Sequence, residues 1–240
     1  MRCASRTLPG PEPARSAQLP LAFNSPPHDR DSVPRPGPFQ RCCRQARRNQ
    51  HGGSPRRRRV SSSFVPRGEP AVSSDWTTRA ETADDAAATR RINLAAFDTA
   101  EEADLVEALR RDPAWIPQLS VLSIGEDGNP AGYALLTRCH IDQTPALCLG
   151  PCAVLPERQG VGAGSAAIRA ALSNATELGE HYVVVLGHPG YYPRFGFRRA
   201  SGFEIRLSIE VPDEALMALS LDGSPMPSGT VRYAAPFGIN

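Results

Sequence analysis

Three glycines at alternate positions stand where a helix-forming stretch begins. Gly160, Gly162 and Gly164 come just before or at the start of a helix that the apolar pattern predicts over residues 165–178. Glycine inside a helix costs about 0.5–1 kcal/mol relative to alanine, so this spacing needs another reason. The first amides of a helix have no internal acceptor, and the helix dipole adds partial positive charge there. The turn therefore predicts a phosphate or diphosphate site, which a Cβ would block.

Two common nucleotide-binding turns do not fit these residues. A P-loop needs a lysine, and all 27 residues counted as lysine or arginine are arginine. A dinucleotide fingerprint needs a third glycine at the position that Ser165 occupies. Glu180 lies at the right distance to be its ribose-binding acid, but it precedes a strand, whereas that acid should end one. We therefore set both sites aside.

The turn and a later motif together resemble the GNAT superfamily of CoA-dependent N-acetyltransferases. Residues 159–164 read QGVGAG and match the pattern Q/R-x-x-G-x-G/A at every fixed position. Residues 192–197, after the next apolar strand, read YPRFGF and match Y-x-x-x-G-F. Within the superfamily, LGPCAVLPERQGVGAG and VVVLGHPGYYPRFGF look like the YhbS-like subgroup, and the similarity runs from about Trp76 to near Phe237.

The resemblance implies an acyltransferase that uses acetyl-CoA as co-substrate, needs no metal and transfers the acetyl group directly to an amine. In the implied fold, strands 4 and 5 splay apart and the pantetheine arm of CoA pairs with strand 4. Tyr192 would protonate the CoA sulfur, which a phenol of pKa about 10 can do for a thiolate of pKa about 8.5. The residues expected to bind CoA are Cys152, Ala153, Val154, Arg158, Gln159, Gly160, Val161, Gly162, Ala163, Gly164 and Ser165.

Several roles stay open at this stage. Tyr192 has an alternative role in packing, Tyr191 is expected to be structural, and His188 stands in a GHPG stretch where many family members carry an asparagine. No acid is distinguished as a general base, and a non-catalytic module that binds acyl-CoA is the alternative function. The acids considered as bases are Glu126, Glu157 and Glu204.

The elements that must position these residues follow from hydropathy and turn signals. Thr82 with Asp85, and Thr99 with Glu102, have the spacing of a capping box, so each threonine should begin a helix. A strand is expected near residues 76–79, and a hairpin should turn at residues 126–129. The order of these elements predicts an α+β (mixed α/β) domain over residues 73–240, with helices packed on a central sheet. The resemblance implies that this sheet is mostly antiparallel and splayed between strands 4 and 5, with helices on both faces.

The fourth apolar strand, ALCLGPCAVLP, contains Gly150 and Pro151. Proline lacks the amide that a sheet ladder needs, so the strand should bulge or splay at this point. This expectation comes from the residues alone, and it agrees with the opening that the resemblance implies.

The two parts of the chain differ strongly in charge. Residues 1–70 contain 12 of the 24 prolines and 14 arginines against four acids, so residues 1–72 should be a disordered extension. A transit peptide, a tail that binds nucleic acid and an unused upstream start remain open for this segment. Residues 71–240 contain 13 arginines against 21 acids, which disfavours nucleic acid as a ligand of the domain and suits a cationic amine.

The remaining composition points to a cytoplasmic protein without a membrane span. No apolar run approaches the roughly 18 residues that a span needs. The six cysteines form no C-x-x-C metal pattern, and Cys139, Cys148 and Cys152 should act as small core residues. The acceptor is expected to be a small-molecule amine or an amine of a peptide or protein, and a homodimer stays open.

Overall fold

The computed structural model describes residues 76–239, and their strands form one main sheet. The strands are β1 (Thr77–Ala80), β2 (Ser120–Ile124), β3 (Pro130–Ile141), β4 (Thr144–Val154), β5 (Tyr182–Leu186), β6 (Arg198–Arg199), β7 (Ile205–Arg206), β8 (Leu216–Ser220) and β9 (Gly229–Arg232). The sheet order is β1-β2-β3-β4-β5-β8-β6, while β9 pairs with β3 and β7. Only β4–β5 and β7–β9 are parallel pairs, so the mostly antiparallel sheet is confirmed. The expected extension at residues 1–72 lies outside the described residues.

Helices cover both faces of the sheet, as expected. They are α1 (Ala86–Ala96), α2 (Glu101–Leu109) and α3 (Ala163–Glu177). On β3, Tyr133 and Leu135 face α1 and α2, whereas Ala134 and Leu136 face α3. This alternation is the period of two that a strand imposes on its side chains. None of the helices within residues 76–239 is long and apolar enough to cross a lipid bilayer.

The predicted capping residues lie at the starts of the first two helices. The Asp85 carboxylate accepts hydrogen bonds from the Thr82 amide at 2.9 Å and from the Thr82 hydroxyl at 2.7 Å. A 3-10 turn over Ala83–Asp85 separates Thr82 from α1. The Thr99 hydroxyl accepts from the Glu101 amide at 3.4 Å, although the residue next to the helix is Ala100. Both signals therefore located a helix start to within a few residues.

Strand β4 bulges at the predicted point. Ala134 pairs with Cys152 and Leu136 pairs with Leu149, so three steps along β4 match two steps along β3. The extra residue shifts the side-chain alternation, and it directs Cys152 to the α3 face.

Strands β4 and β5 separate immediately after the bulge begins. Their parallel pairing covers residues 147–149 of β4 and residues 183–185 of β5 only. From Cys152 to Val154, β4 pairs with β3 again, but no strand of the described residues pairs with its other edge. The splay between strands 4 and 5 is thus confirmed, and it leaves an open strip of main chain.

Candidate active site

The glycine turn between β4 and α3 presents a run of unbonded amides. Gly160 and Gly162 have φ angles of 78° and 98°, a left-handed conformation that glycine adopts readily. The first amide of α3 with an acceptor is that of Ala166, which donates to the Gly162 carbonyl at 2.9 Å. Among the described residues, no acceptor faces the amides of residues 160–165. Consecutive free amides at a helix start form an anion-binding concavity.

Gly160 and Gly164 serve different purposes. A Cβ on Gly160 would meet nothing within 4 Å, so open space lies beside this residue. A Cβ on Gly164 would lie 2.9 Å from Val154 Cγ2, so this glycine lets α3 pack closely against β4. Helix α3 begins at Ala163, two residues earlier than the apolar pattern indicated, which places Gly164 inside the helix. Packing, and not ligand access alone, therefore explains the third glycine.

Side chains from three segments hold the turn in place. The Trp76 indole donates to the Val161 carbonyl at 2.9 Å, and the side-chain amide of Gln159 donates to the Val154 carbonyl at 3.3 Å. The Arg158 guanidinium pairs with Asp127 at 2.9 Å. The turn still lies at the surface, since Val161 is 60% exposed. Sequence reasoning missed Trp76 because it lies 85 residues away along the chain.

The main chain of β4 alternates between β3 and the splay. The Leu155 amide donates to the Ala131 carbonyl of the β3 segment at 2.9 Å. Because main-chain groups along a strand alternate in direction, those of Ala153 also face β3, while those of Cys152 and Val154 face the opening. The Val154 carbonyl is held by Gln159. The open strip therefore offers the amides of Cys152 and Val154 and the carbonyl of Cys152.

Tyr192 lies under the splay with its hydroxyl against Cys152. Its ring packs edge-on against Phe197 at 5.9 Å, and a Cβ on Gly187 would lie 2.4 Å from Tyr192 Cε2. The residue is only 6% exposed, and burial raises the pKa of its hydroxyl well above the ordinary value, as does the neighbouring Cys152 thiol. Tyr192 thus stays protonated near neutral pH beside β4.

The two other groups with open roles lie close by but make local contacts. The Tyr191 hydroxyl lies 3.3 Å from Ser165 Oγ, so this tyrosine joins the β5–β6 connection to the first turn of α3. His188 Nδ1 accepts from the Gly190 amide at 3.2 Å. The three acids considered as bases are exposed. Residues 76–239 contain no cluster of His, Cys, Asp and Glu side chains that could hold a metal ion.

The structure thus brings most of the expected site residues together. A short 3-10 turn at Pro156–Arg158 joins the open strip of β4 to the glycine turn, and the turn runs into α3. Tyr192 reaches the same strip from the segment after β5. Arg158 and Gln159 stand at the turn with protein partners, and Ala153 is the residue of the strip whose main chain faces β3.

Comparisons with known proteins agree with this geometry. The sequence profile described as Acetyltransferase (GNAT) family matches residues 86–197. The chain is 37% identical over 161 residues to the Escherichia coli protein "Uncharacterized N-acetyltransferase YjhQ". This alignment covers 63% of this chain and 88% of YjhQ. It is 30% identical over 112 residues to "Uncharacterized N-acetyltransferase YhbS" of the same organism, 46% of this chain and 66% of YhbS.

Two solved structures resemble the fold over most of their length. The crystal structure of YhbS from Escherichia coli in complex with CoA superposes with a TM-score of 0.64 and 25% identity, covering 71% of this chain and 95% of that one. A GNAT family acetyltransferase from Brucella melitensis in complex with acetyl-CoA superposes with a TM-score of 0.56 and 31% identity, covering 68% and 97%.

Proposed function

Because this chain belongs to the GNAT family of acetyltransferases, with YhbS-like relatives, we propose that it moves the acetyl group of acetyl-CoA directly to an amine. The observation that carries the proposal is the run of unbonded amides at residues 160–165, which follows the open strip of β4 after one short 3-10 turn. The two related structures that contain CoA or acetyl-CoA support the same co-substrate.

The residues of the turn suit the diphosphate of CoA. Their amides are free, no Cβ stands in the space beside Gly160, and the helix start adds partial positive charge. The amides of Cys152 and Val154 and the Cys152 carbonyl would hold the pantetheine arm as a neighbouring strand would. Ala153 would contribute through the shape of the strip, since its main chain faces β3.

The chemistry divides between the strip and Tyr192. Bound acetyl-CoA supplies an activated thioester. The amides on the strip, that of Cys152 above all, would stabilise negative charge that develops on the acetyl oxygen. As the nitrogen–carbon bond forms and the carbon–sulfur bond breaks, the amine nitrogen would lose a proton to water, and Tyr192 would donate one to the departing sulfur and regain one from water. The Tyr192 hydroxyl lies beside Cys152 of β4.

Direct transfer fits this site better than an acyl-cysteine pathway. Cys152 is the cysteine at the splay, and burial raises its pKa to about 12. A thiol with that pKa stays protonated near neutral pH, and only the thiolate is a good nucleophile. Besides burial, the neighbouring Tyr192 hydroxyl affects this pKa, and no histidine does. Cys152 therefore contributes its main chain and its contact with Tyr192.

The acceptor is an amine, of a small molecule or of a peptide or protein. The domain carries 21 acids against 13 arginines beyond residue 70, so its field favours a cationic acceptor.

Titration calorimetry with acetyl-CoA, followed by a CoA-release assay against a mixed amine library, tests the proposal. We expect saturable binding at sub-millimolar acetyl-CoA and CoA release with at least one amine. Absence of binding would refute the proposal. Binding without CoA release from any amine would favour the alternative, a module that binds acyl-CoA without catalysis.

A charge-specific substitution tests the assignment of the turn. Gly162→Glu should abolish acetyl-CoA binding because its carboxylate would stand where a phosphate belongs. Gly162→Gln is the matched control, since it imposes the same backbone strain at a φ of 98° and the same side-chain length without the charge. Calorimetry should show a much larger loss for glutamate than for glutamine. Equal affinities for the two variants would contradict the assignment.

A further inference from the structure

Two arginines stand on aromatic rings beside the glycine turn. Arg194 Cζ lies 4.5 Å from the ring centroid of Tyr191, and Arg169 Cζ lies 5.2 Å from that of Phe195. The two rings meet edge to face with centroids 5.5 Å apart. Arg169 and Arg194, called the arginine pair below, are thus held on two aromatic rings that contact each other.

The arginine pair lies next to the amides of the turn. The Tyr191 hydroxyl is 3.3 Å from Ser165 Oγ, which ties the ring under Arg194 to the first turn of α3. Arg169 is four residues after Ser165 on the same helix, so the two side chains project from the same face. Both guanidinium groups therefore flank the helix start from the side of the β5–β6 connection.

The charges of the arginine pair are unused within the protein. Both side chains are exposed, and neither has a carboxylate partner within the part of the chain that the structure describes. By contrast, Arg158 of the turn is paired with Asp127. A guanidinium group that is held on a ring and free of a carboxylate retains its fork of donors for an external anion.

We propose that Arg169 and Arg194 bind the 3′-phosphate of the CoA ribose, so that the enzyme distinguishes CoA from its dephosphorylated form. The proposal rests on the proposed function, because it takes the diphosphate to lie at residues 160–165. The 3′-phosphate is carried on the ribose that is attached to that diphosphate. It would therefore reach the surface beside the turn, where the arginine pair provides two forks suited to a phosphate dianion.

Calorimetry of the full chain at low salt, with acetyl-CoA and with acetyl-3′-dephospho-CoA as the two ligands, tests the proposal. The unmodified protein should bind acetyl-CoA about tenfold more tightly than the dephosphorylated analogue. Arg169→Ala and Arg194→Ala should each reduce this ratio, and the double variant should bring it close to one. The ratio is the readout because removing Arg194 also uncovers Tyr191, which would affect both ligands alike.

Arg198→Ala is the matched control. Arg198 is also exposed, unpaired with a carboxylate and set over a ring, at 5.1 Å from that of Phe203. It belongs to β6, two strands beyond β5 in the sheet, and Phe203 packs in the cluster on the face opposite α3. This variant should keep the full ratio.

Two outcomes would overturn the proposal, and they differ in what else they imply. If both ligands bind the unmodified protein equally, or if the arginine variants weaken both ligands by the same factor, the arginine pair does not read the 3′-phosphate while acetyl-CoA binding stands. If neither ligand binds, the proposed function fails together with the inference.

Discussion

Tyr192 is the residue at which packing and chemistry are hardest to separate. Its ring fills space against Phe197 and Gly187, and its hydroxyl lies beside the Cys152 thiol. Packing needs only the ring, whereas proton donation needs only the hydroxyl. A substitution that removes the oxygen and leaves the ring therefore distinguishes the two roles.

We expect Tyr192→Phe to lower kcat by about 100-fold, the scale of a lost general acid, with little change in the KM for acetyl-CoA. Its free energy of unfolding should fall by only about 1 kcal/mol, the usual value of one hydrogen bond. Steady-state kinetics with the best amine from the library, together with urea unfolding, measure both quantities. In the control, Tyr182→Phe, the lost hydroxyl donates to the Pro225 carbonyl at 3.0 Å, so kcat should not change. A Tyr192→Phe enzyme with normal kcat would leave this tyrosine a packing role alone.

At the scale of elements, the bulge in β4 decides which side chains reach the site. Before the bulge, Cys148 faces away from α3, and strict alternation would turn Cys152 the same way. The extra residue at Gly150 and Pro151 reverses the alternation, so that Cys152 faces α3 and meets Tyr192. The same irregularity coincides with the end of β4–β5 pairing, so one local feature both opens the sheet and orients its edge.

The start of α1 depends on Asp85, whose carboxylate holds Thr82 and also Arg79 at 2.6 and 2.8 Å. The hydrogen bonds from Arg79 are the main reason that the pKa of Asp85 lies well below its usual value. Because the folded pKa is depressed below an unfolded value of about 3.9, this stabilisation is present above pH 4 and is lost as the pH falls further.

We expect Asp85→Asn to lower the free energy of unfolding by about 1 kcal/mol at pH 7, the scale of a lost helix cap. The difference from the unmodified protein should shrink as the pH falls below about 4, since the unfolded chain then binds a proton at Asp85 before the folded protein does. Urea unfolding of both proteins at pH 7 and below pH 4 measures this difference in the free energy of unfolding. Asp84→Asn is the control, because Asp84 is exposed at the same helix start and removes the same charge. If both variants lose a similar free energy of unfolding, then negative charge alone, and not the contacts of Asp85, stabilises the start of α1.

At the scale of the whole molecule, the core and the candidate site lie within one stretch of the chain. Three hydrophobic clusters fill the two faces of the sheet, and all their members fall between Ile92 and Ile239. The first residue with a described contact at the site is Trp76, whose indole holds the turn. The basic segment before it carries an opposite balance of charge.

A chain shortened to begin at Asp75 should therefore bind acetyl-CoA with a Kd within about twofold of the full chain, since Trp76 and every described contact are kept. Calorimetry of the two proteins side by side, with thermal unfolding of each, measures this. A large loss of affinity or of folding would show that residues 1–74 contribute to the domain or to the site.

The sequence by itself determined the features that depend on neighbours along the chain. The hairpin turn, the capping threonines, the irregularity at Gly150 and Pro151, and the glycine turn before α3 all follow from local backbone chemistry. The order of the elements followed from hydropathy and turn signals, and the resemblance to a family supplied the opening between strands 4 and 5. The local features could be predicted because the hydrogen bonding of main-chain amides and the periodicity of apolar side chains require no knowledge of distant residues.

Only the tertiary structure decided which distant groups meet at the site. Trp76 bonds to a carbonyl 85 residues away, Gly164 is explained by its distance from Val154, and the Tyr192 hydroxyl finds Cys152 across the splay. The stacking of Arg169 on Phe195 is equally invisible in the sequence. The physical reason is that a period assigns a side chain to a face, whereas packing of separate elements against one sheet selects the atom that it contacts.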